Sequence, residues 1–152
     1  VNPLGNPVAV TNQMTNFGWE YVDHCHILGH EENDMMRPMC LAMPPAAPTS
    51  LTATRVTGSV RGIRLNWVNN SSTNSTSLII QRATNSGFTT NLVTFNAATN
   101  AVTYTDSSVV AGTTYYYRVI ASNTVGSTVV PGYPTMTANS NPSNTASAVA
   151  PP

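Results

Sequence analysis

The chain has 152 residues, a formal net charge of zero and only 8% charged residues, and it contains no lysine. It therefore lacks the basic patch that nucleic acids and acidic membrane surfaces attract, and it has no apolar run long enough to cross a bilayer. We predict neither a nucleic-acid partner nor a membrane span.

All three histidines lie in one short run, and a methionine at position 35 follows it. A thiolate, imidazoles and a thioether together suit copper that cycles between two oxidation states, and two His, one Cys and a weak axial Met form its electron-transfer geometry. Cys25, His30 and Met35 supply three of those four ligands. Cys25 would bind as the thiolate, a form that the metal itself favours. The run is Asp23-His24-Cys25-His26-Ile27-Leu28-Gly29-His30.

A strand is predicted over residues 19–27. Alternation along such a strand places the side chains of His24 and His26 on one face and that of Cys25 on the other. Two metal sites would then be joined through a few covalent bonds. Electrons arriving at a copper on Cys25 could pass through the backbone to metals held by the two histidines.

This arrangement resembles the C-terminal copper signature of the multicopper oxidases, the family of laccases and bacterial copper oxidases. The resemblance rests on His24-Cys25-His26-x3-His30-x4-Met35 and on the preceding Phe17-Gly18-Trp19-Glu20-Tyr21-Val22. It implies that Cys25 and His30 bind the type 1 copper with Met35 as axial ligand, and that His24 and His26 bind the two type 3 coppers. By the same resemblance the catalytic residues are Cys25, His24 and His26, and dioxygen and a reducing substrate are the reactants.

Two other chemistries compete for the same residues. Zinc takes the same N and S ligands, but one Cys between two His on a strand cannot converge with both neighbours on one metal. A disulfide between Cys25 and Cys40 is the structural alternative, natural for an extracellular chain with two cysteines.

Side chains around the motif add further alternatives. Met36 competes with Met35 as axial ligand, although the family spacing favours Met35. Met36, Met39 and Met43 either recruit cuprous ions or fill apolar gaps. Asp23 stands where the family has an apolar or aromatic residue, and its carboxylate either orients a ligand or marks a degenerate site.

The copper segment is incomplete in this sequence. A type 1 site needs a second histidine and a trinuclear cluster needs several more, whereas the chain has three in all. Two or three strands also rarely bury enough surface to be stable alone, and their unpaired edges favour pairing with another chain. We expect residues 1–43 to be the C-terminal strands and copper loop of a cupredoxin β-sandwich. Its remainder would belong to a longer precursor or to another copy of the chain.

A proline-rich segment, residues 44–48, marks a boundary. Three prolines in five residues favour extended polyproline geometry and form a semi-rigid spacer. We therefore place a linker there, followed by a second domain over residues 49–150.

The second domain is rich in Thr, Ser, Asn and Val with an alternation of period two, which predicts half-buried antiparallel strands. Turns rich in Asn, Ser and Gly separate them at spacings typical of a sandwich of about seven strands. Predicted strands are 50–56, 63–68, 77–82, 91–96, 102–105, 114–123 and a last one around 127–130.

This part resembles a fibronectin type III domain, an immunoglobulin-like sandwich. The resemblance rests on Pro48-x2-Leu51-x-Ala53, Leu65-Asn66-Trp67, Tyr104-Thr105-Asp106 and the segment Ala111 to Asn123. The predicted fold class is thus all-β, with a partial cupredoxin sandwich before an immunoglobulin-like one.

Alternation along residues 114–123 assigns a core face. It predicts Tyr115, Tyr117, Val119 and Ala121 in the core opposite Trp67. Tyr115 is also the candidate tyrosine corner, whose hydroxyl hydrogen-bonds to the backbone.

Side chains on the other face point outward. Tyr116 and Arg118 lie there, and exposed Tyr is ordinary on β-sheets. The alternative is that Tyr116 and Tyr133 bind carbohydrate or a surface.

Two functions follow. The first is the C-terminal part of a secreted multicopper oxidase that couples one-electron oxidation of a substrate to reduction of dioxygen to water. The second is an extracellular structural or adhesive subunit that assembles by strand complementation, with the copper site vestigial or absent. The Ser/Thr/Asn-rich, lysine-free composition favours an extracellular or periplasmic location.

Overall fold

The structure, a computed structural model, describes residues 7, 21–58, 61–71, 74–126 and 135–152. Its described part is almost entirely β-structure. The elements are β1 (Tyr21–His24), α1 (Leu28–Glu31), β2 (Met36–Met39), β3 (Thr49–Val56), β4 (Gly62–Val68), β5 (Ser77–Ala83), β6 (Val93–Ala97), β7 (Thr103–Asp106), β8 (Thr114–Gly126), β9 (Thr135–Asn139) and β10 (Ala146–Val149).

Strands β1 and β2 form an antiparallel hairpin, with His24 opposite Met36 at the end that carries the loop. The following proline-rich segment lies against the second domain. Pro45 and Pro48 are buried, and the Asn123 amide on β8 donates a hydrogen bond to the Met43 carbonyl at 2.9 Å. These contacts fix the end of the linker on the sandwich.

Two sheets form the sandwich. One has the order β3-β4-β7, and the other has the order β10-β8-β5-β6 with β9 also paired to β8. All the pairs are antiparallel. Strand β8 is long because β10 pairs with its first half and β9 with its second half.

The core forms where the alternating faces of the two sheets meet. In β4, Ile63, Leu65 and Trp67 are buried, whereas the residues between them are exposed. Such alternation is what a strand with one face on the core and one in water requires. The core cluster comprises Leu51, Ile63, Leu65, Trp67, Leu78, Ile80, Tyr115, Tyr117, Val119, Ala121 and Ala150.

Serine hydroxyls hold the sheet together where the edge strand is interrupted between β9 and β10. Ser140 and Ser143 accept hydrogen bonds through Oγ from the backbone N–H groups of Ala121 and Val119, at 2.9 and 3.0 Å. Their own backbone N–H groups donate to the same two residues' carbonyls, both at 2.8 Å. The buried edge of β8 is therefore satisfied although the regular ladder is broken.

A buried ion pair crosses from one sheet to the other. Arg82 on β5 donates to the Asp106 carboxylate on β7 at 2.7 Å, and the Tyr117 hydroxyl donates to the same oxygen at 3.0 Å. Ser108 donates to the second oxygen through its backbone N–H and its hydroxyl, at 2.9 and 2.7 Å. Every lone-pair direction of this buried carboxylate therefore has a donor near it, as a buried charge requires.

The pKa values follow from this network. Burial acts to raise the pKa of Asp106, but hydrogen bonds from Ser108, Arg82 and Tyr117 outweigh it and lower the pKa. Burial, together with the neighbouring Asp106 charge, raises the pKa of Tyr117.

Most of the sandwich predictions are confirmed. Trp67, Tyr115, Tyr117, Val119 and Ala121 are buried in one cluster. The Tyr115 hydroxyl accepts a hydrogen bond from the Val110 backbone N–H at 3.2 Å, as expected of a tyrosine corner. The first six predicted strands of the second domain correspond to β3 to β8 within a few residues at each end.

The sequence did not predict β9 and β10. The last predicted strand, 127–130, lies outside the described residues. The strand predicted over 19–27 is wrong at its C-terminal end, because β1 ends at His24 and the chain then turns into α1; residues 19 and 20 lie outside the described part.

Candidate metal centre

The loop between β1 and β2 contains the candidate ligands Cys25, His26, His30 and Met35, and His24 ends β1 itself. Backbone hydrogen bonds give the loop a compact form. The N–H groups of His30 and Glu31 both donate to the Ile27 carbonyl, at 2.8 and 3.1 Å, and Met35 N–H donates to the His30 carbonyl at 3.0 Å. The loop thus returns Met35 to the end of the hairpin.

The structure brings His24 and His26 together. Their ring centroids are 4.7 Å apart. This proximity agrees with the shared face expected from alternation, although β1 ends at His24 and residues 25–27 are irregular.

Glu31 is the third member of this group, and sequence reasoning missed it. Its Oε1 lies 3.7 Å from Nδ1 of His24 and 3.5 Å from Nδ1 of His26. Glu31 reaches the histidines because α1 turns the chain back toward β1. The available sequence signal was a carboxylate five residues after His26 and seven residues after His24. Such a carboxylate comes close to the histidines only if that turn forms.

Cys25 is exposed, and so is Met35, while His30 is half-buried. Within the described residues, the group of three or more His, Cys, Asp or Glu side chains close enough to hold one ion consists of His24, His26 and Glu31. Cys25 and His30 are not part of that group. Their assignment to a type 1 copper stays a prediction.

Cys25 is not part of a disulfide in the structure, so the alternative bridge from Cys25 to Cys40 is not formed. The Cys25 sulfur can therefore lose its proton and bind copper as the thiolate.

The carboxylate near the histidines comes from Glu31 and not from Asp23. Asp23 is exposed on β1 and lies opposite Arg37 on β2. The cross-strand position beside an opposite charge is a sufficient structural reason for an Asp at this site.

The residues present fit a copper ion in one respect that the structure shows directly. Nδ1 of His24 is a buried polar atom without a hydrogen-bond partner among the described residues. Buried polar atoms normally have a partner, and a metal ion is one way to satisfy an imidazole nitrogen. Imidazole, thiolate and thioether donors also match copper chemically.

The tyrosines predicted to bind carbohydrate or a surface are Tyr116 and Tyr133. Tyr116 is half-buried, and Tyr133 lies outside the described residues. In the part of the chain that the structure describes, no helix is both long and apolar enough to cross a bilayer.

No protein-family model matches the chain, and no curated protein matches it in sequence. Solved structures do. An Fn3-like protein from Clostridium thermocellum is 28% identical over 69% of this chain and 92% of that one, with a TM-score of 0.48. The FN1–FN3 domains of chicken CNTN1 are 16% identical over 77% of this chain and 34% of theirs, with a TM-score of 0.52. Domains of titin are 18% identical over 77% and 36%, with a TM-score of 0.50.

The fold is a fibronectin type III-like β-sandwich. This chain spans about a third of the CNTN1 and titin structures. At these identities the similarity shows the fold alone, and a fold does not name a function. The cupredoxin assignment of residues 1–43 stays a prediction.

Proposed function

We propose that the chain is the C-terminal portion of a secreted multicopper oxidase, with a fibronectin type III domain after its last copper ligands. The full enzyme would couple one-electron oxidation of a reducing substrate to reduction of dioxygen to water. The observation that carries the proposal is the spacing of Cys25, His30 and Met35 in one hairpin loop whose backbone returns Met35 to the strand end.

Each ligand has a role that its position supports. Cys25 and His30 would bind the type 1 copper with Met35 as axial ligand, while His24 and His26 would bind type 3 coppers. Cys25, whose thiol is exposed, is bonded through the backbone to His24 on one side and His26 on the other. This covalent connection is the shortest path by which one residue can link two metal sites.

Bound copper would supply the one-electron redox chemistry. The chain's own residues would hold it and set its surroundings. The second type 1 histidine and the other cluster ligands would come from further cupredoxin domains or from another copy of the chain, since all three histidines of this sequence are already assigned.

We also propose an extracellular or periplasmic location. The described sandwich exposes Thr, Ser and Asn side chains and has no lysine. We assign no substrate to the sandwich and propose that it is a module attached to the oxidase.

Metal titration tests the proposed role of Cys25. Cobalt(II) is a better probe than Cu²⁺ because it does not oxidise thiols. Its thiolate complexes also absorb strongly in the near ultraviolet. We expect a thiolate-to-cobalt band in the wild-type chain, its loss in Cys25→Ser and its retention in the matched control Cys40→Ser. A band that survives Cys25→Ser would contradict the proposal.

A second candidate function rests on the hairpin surface. Among the described residues β1 and β2 pair only with each other, and Val22, Met36 and Met39 are about half exposed. Such unpaired edges favour strand addition. An extracellular structural subunit assembled in this way would form dimers or larger oligomers without metal, and light scattering after size exclusion would detect them. A metal-free monomer would contradict this candidate.

A further inference from the structure

We propose that His24, His26 and Glu31 together bind a single divalent transition-metal ion, with Cu²⁺ preferred. This site is separate from the type 1 ligand set, because it uses neither Cys25 nor Met35. It also needs no residue from outside the segment 24–31.

The distances between the donor atoms suit a shared ion better than hydrogen bonds. Oε1 of Glu31 lies 3.5 and 3.7 Å from the two Nδ1 atoms, whereas N–H···O hydrogen bonds measure about 2.7–3.2 Å. Two ligands that bind one ion at about 2.1 Å lie about 3.0 Å apart at the right angle that Cu²⁺ favours, and about 3.4 Å apart at the tetrahedral angle that Zn²⁺ favours. The observed separations are therefore close to those of two ligands on one ion.

The separation between the ligand atoms of His24 and His26 needs only a small adjustment. The three ligand atoms lie within 4.8 Å of one another, and the His26 side chain is 88% exposed. An exposed imidazole rotates without displacing packed neighbours. His26 can thus approach the ion while His24 and Glu31, each about two-thirds covered, keep their places.

Burial supports the same assignment. Nδ1 of His24 is buried without a hydrogen-bond partner among the described residues, although a carboxylate oxygen lies near it. An ion between the two would coordinate the nitrogen and neutralise the carboxylate at once. The ion would thus give the buried Nδ1 atom of His24 the partner that buried polar atoms normally have.

The donor set determines which ion fits. Two imidazoles and one carboxylate suit first-row divalent ions, and Cu²⁺ binds such donors most tightly in that series. Three protein ligands leave at least one position for water. This site belongs to the chain by itself; in the oxidase of the proposed function, the remaining cluster ligands would place His24 and His26 on two different type 3 coppers.

Metal binding to the full 152-residue chain tests this site. Calorimetry with Zn²⁺ and electron paramagnetic resonance with Cu²⁺ should show an ion at this site in addition to any ion bound by Cys25, with splitting from two imidazole nitrogens in the Cu²⁺ spectrum. Glu31→Gln should weaken binding by at least about tenfold, the lower end of the cost of losing a supporting partner in a metal site. His24→Ala should do the same.

A matched control tests whether Glu31 itself is required. Glu32→Gln changes the neighbouring exposed carboxylate and should leave the affinity of this site unchanged. An unchanged thermal midpoint of the sandwich would show that each variant is folded.

Two outcomes would contradict this proposal: wild-type affinity in Glu31→Gln, or a Cu²⁺ spectrum without splitting from two imidazole nitrogens. The role of Cys25 is tested separately by the thiolate-to-cobalt band, so a failure of this inference is distinguishable from a failure of the proposed function.

Discussion

Replacing Asp106 by Asn should strongly destabilise the sandwich. Asp106 is 1% exposed and the Arg82 side chain 11% exposed, with 2.7 Å between the charged atoms. The change leaves the Arg82 charge buried without its partner and weakens the acceptor for Tyr117 and Ser108. Removing one member of a buried pair costs about 3–5 kcal/mol.

That cost is large against a typical domain stability of about 5–15 kcal/mol. For a sandwich of about a hundred residues, it corresponds to a fall in the thermal midpoint of at least about 12 °C. Circular dichroism during heating, and urea unfolding followed by tryptophan fluorescence, measure it. The matched control is Asp23→Asn, the same change at an exposed position, which should shift the midpoint little.

The pH dependence gives the same pair a second test. The pKa of Asp106 in the folded chain is below its unfolded value, because hydrogen bonds from Ser108, Arg82 and Tyr117 outweigh the burial that would raise it. Its ionised form therefore contributes stability above about pH 4, and this contribution is lost as the pH falls through the lowered folded pKa. The stability difference between wild type and Asp106→Asn should be constant from about pH 5 to 8 and shrink below about pH 4. A midpoint for Asp106→Asn equal to the wild type, or a difference that grows in acid, would refute the reasoning.

Two further changes test the packing of the sandwich. In Gly62→Ala the new Cβ would collide with the Asp106 carbonyl oxygen, and we expect a loss of about 1–3 kcal/mol in urea unfolding. Gly87→Ala is the control, since its nearest neighbour is a flexible Asn85 side chain at 3.5 Å; equal stability of the two variants would contradict this account. Trp67→Ala should cost about 3–5 kcal/mol, because Trp67 is 4% exposed in the core. Trp67→Phe keeps a ring and removes an Nε1–H that has no partner among the described residues, so it should cost much less; similar losses in both would argue against packing as the cause.

Alternation was enough to predict most of the sandwich from sequence. Leu65 and Trp67 in β4, and Tyr115 and Tyr117 in β8, are large apolar or aromatic residues at every second position, and each pair is buried. A one-sided strand pattern of this kind depends only on local sequence. The pattern can therefore be recognised without knowing how the rest of the chain folds.

The edge of the second sheet could not be predicted in the same way. Strands β9 and β10 consist mainly of small and polar residues such as Thr, Ala and Ser. Their pairing depends on contacts with β8 and on the hydroxyls of Ser140 and Ser143, which lie between the two strands. Such contacts join residues far apart in sequence, and no local pattern reveals them.

The candidate site was predicted in part. The spacing from His24 to Met35 identified the candidate ligands, and the structure places His24 and His26 side by side. Glu31 was missed because its position near the two histidines depends on α1. This single turn of helix is too short to show a helical period in the sequence. The Arg82–Asp106 pair was missed for a similar reason, since it joins two sheets across 24 positions in sequence.

X-ray absorption spectroscopy at the copper edge of the copper-loaded chain tests most directly whether the Cys25 thiolate binds the metal. We predict a sulfur scatterer at about 2.3 Å, the length of a metal–thiolate bond, which disappears in Cys25→Ser and persists in Cys40→Ser. A first coordination shell of nitrogen and oxygen alone in the wild-type chain would contradict it.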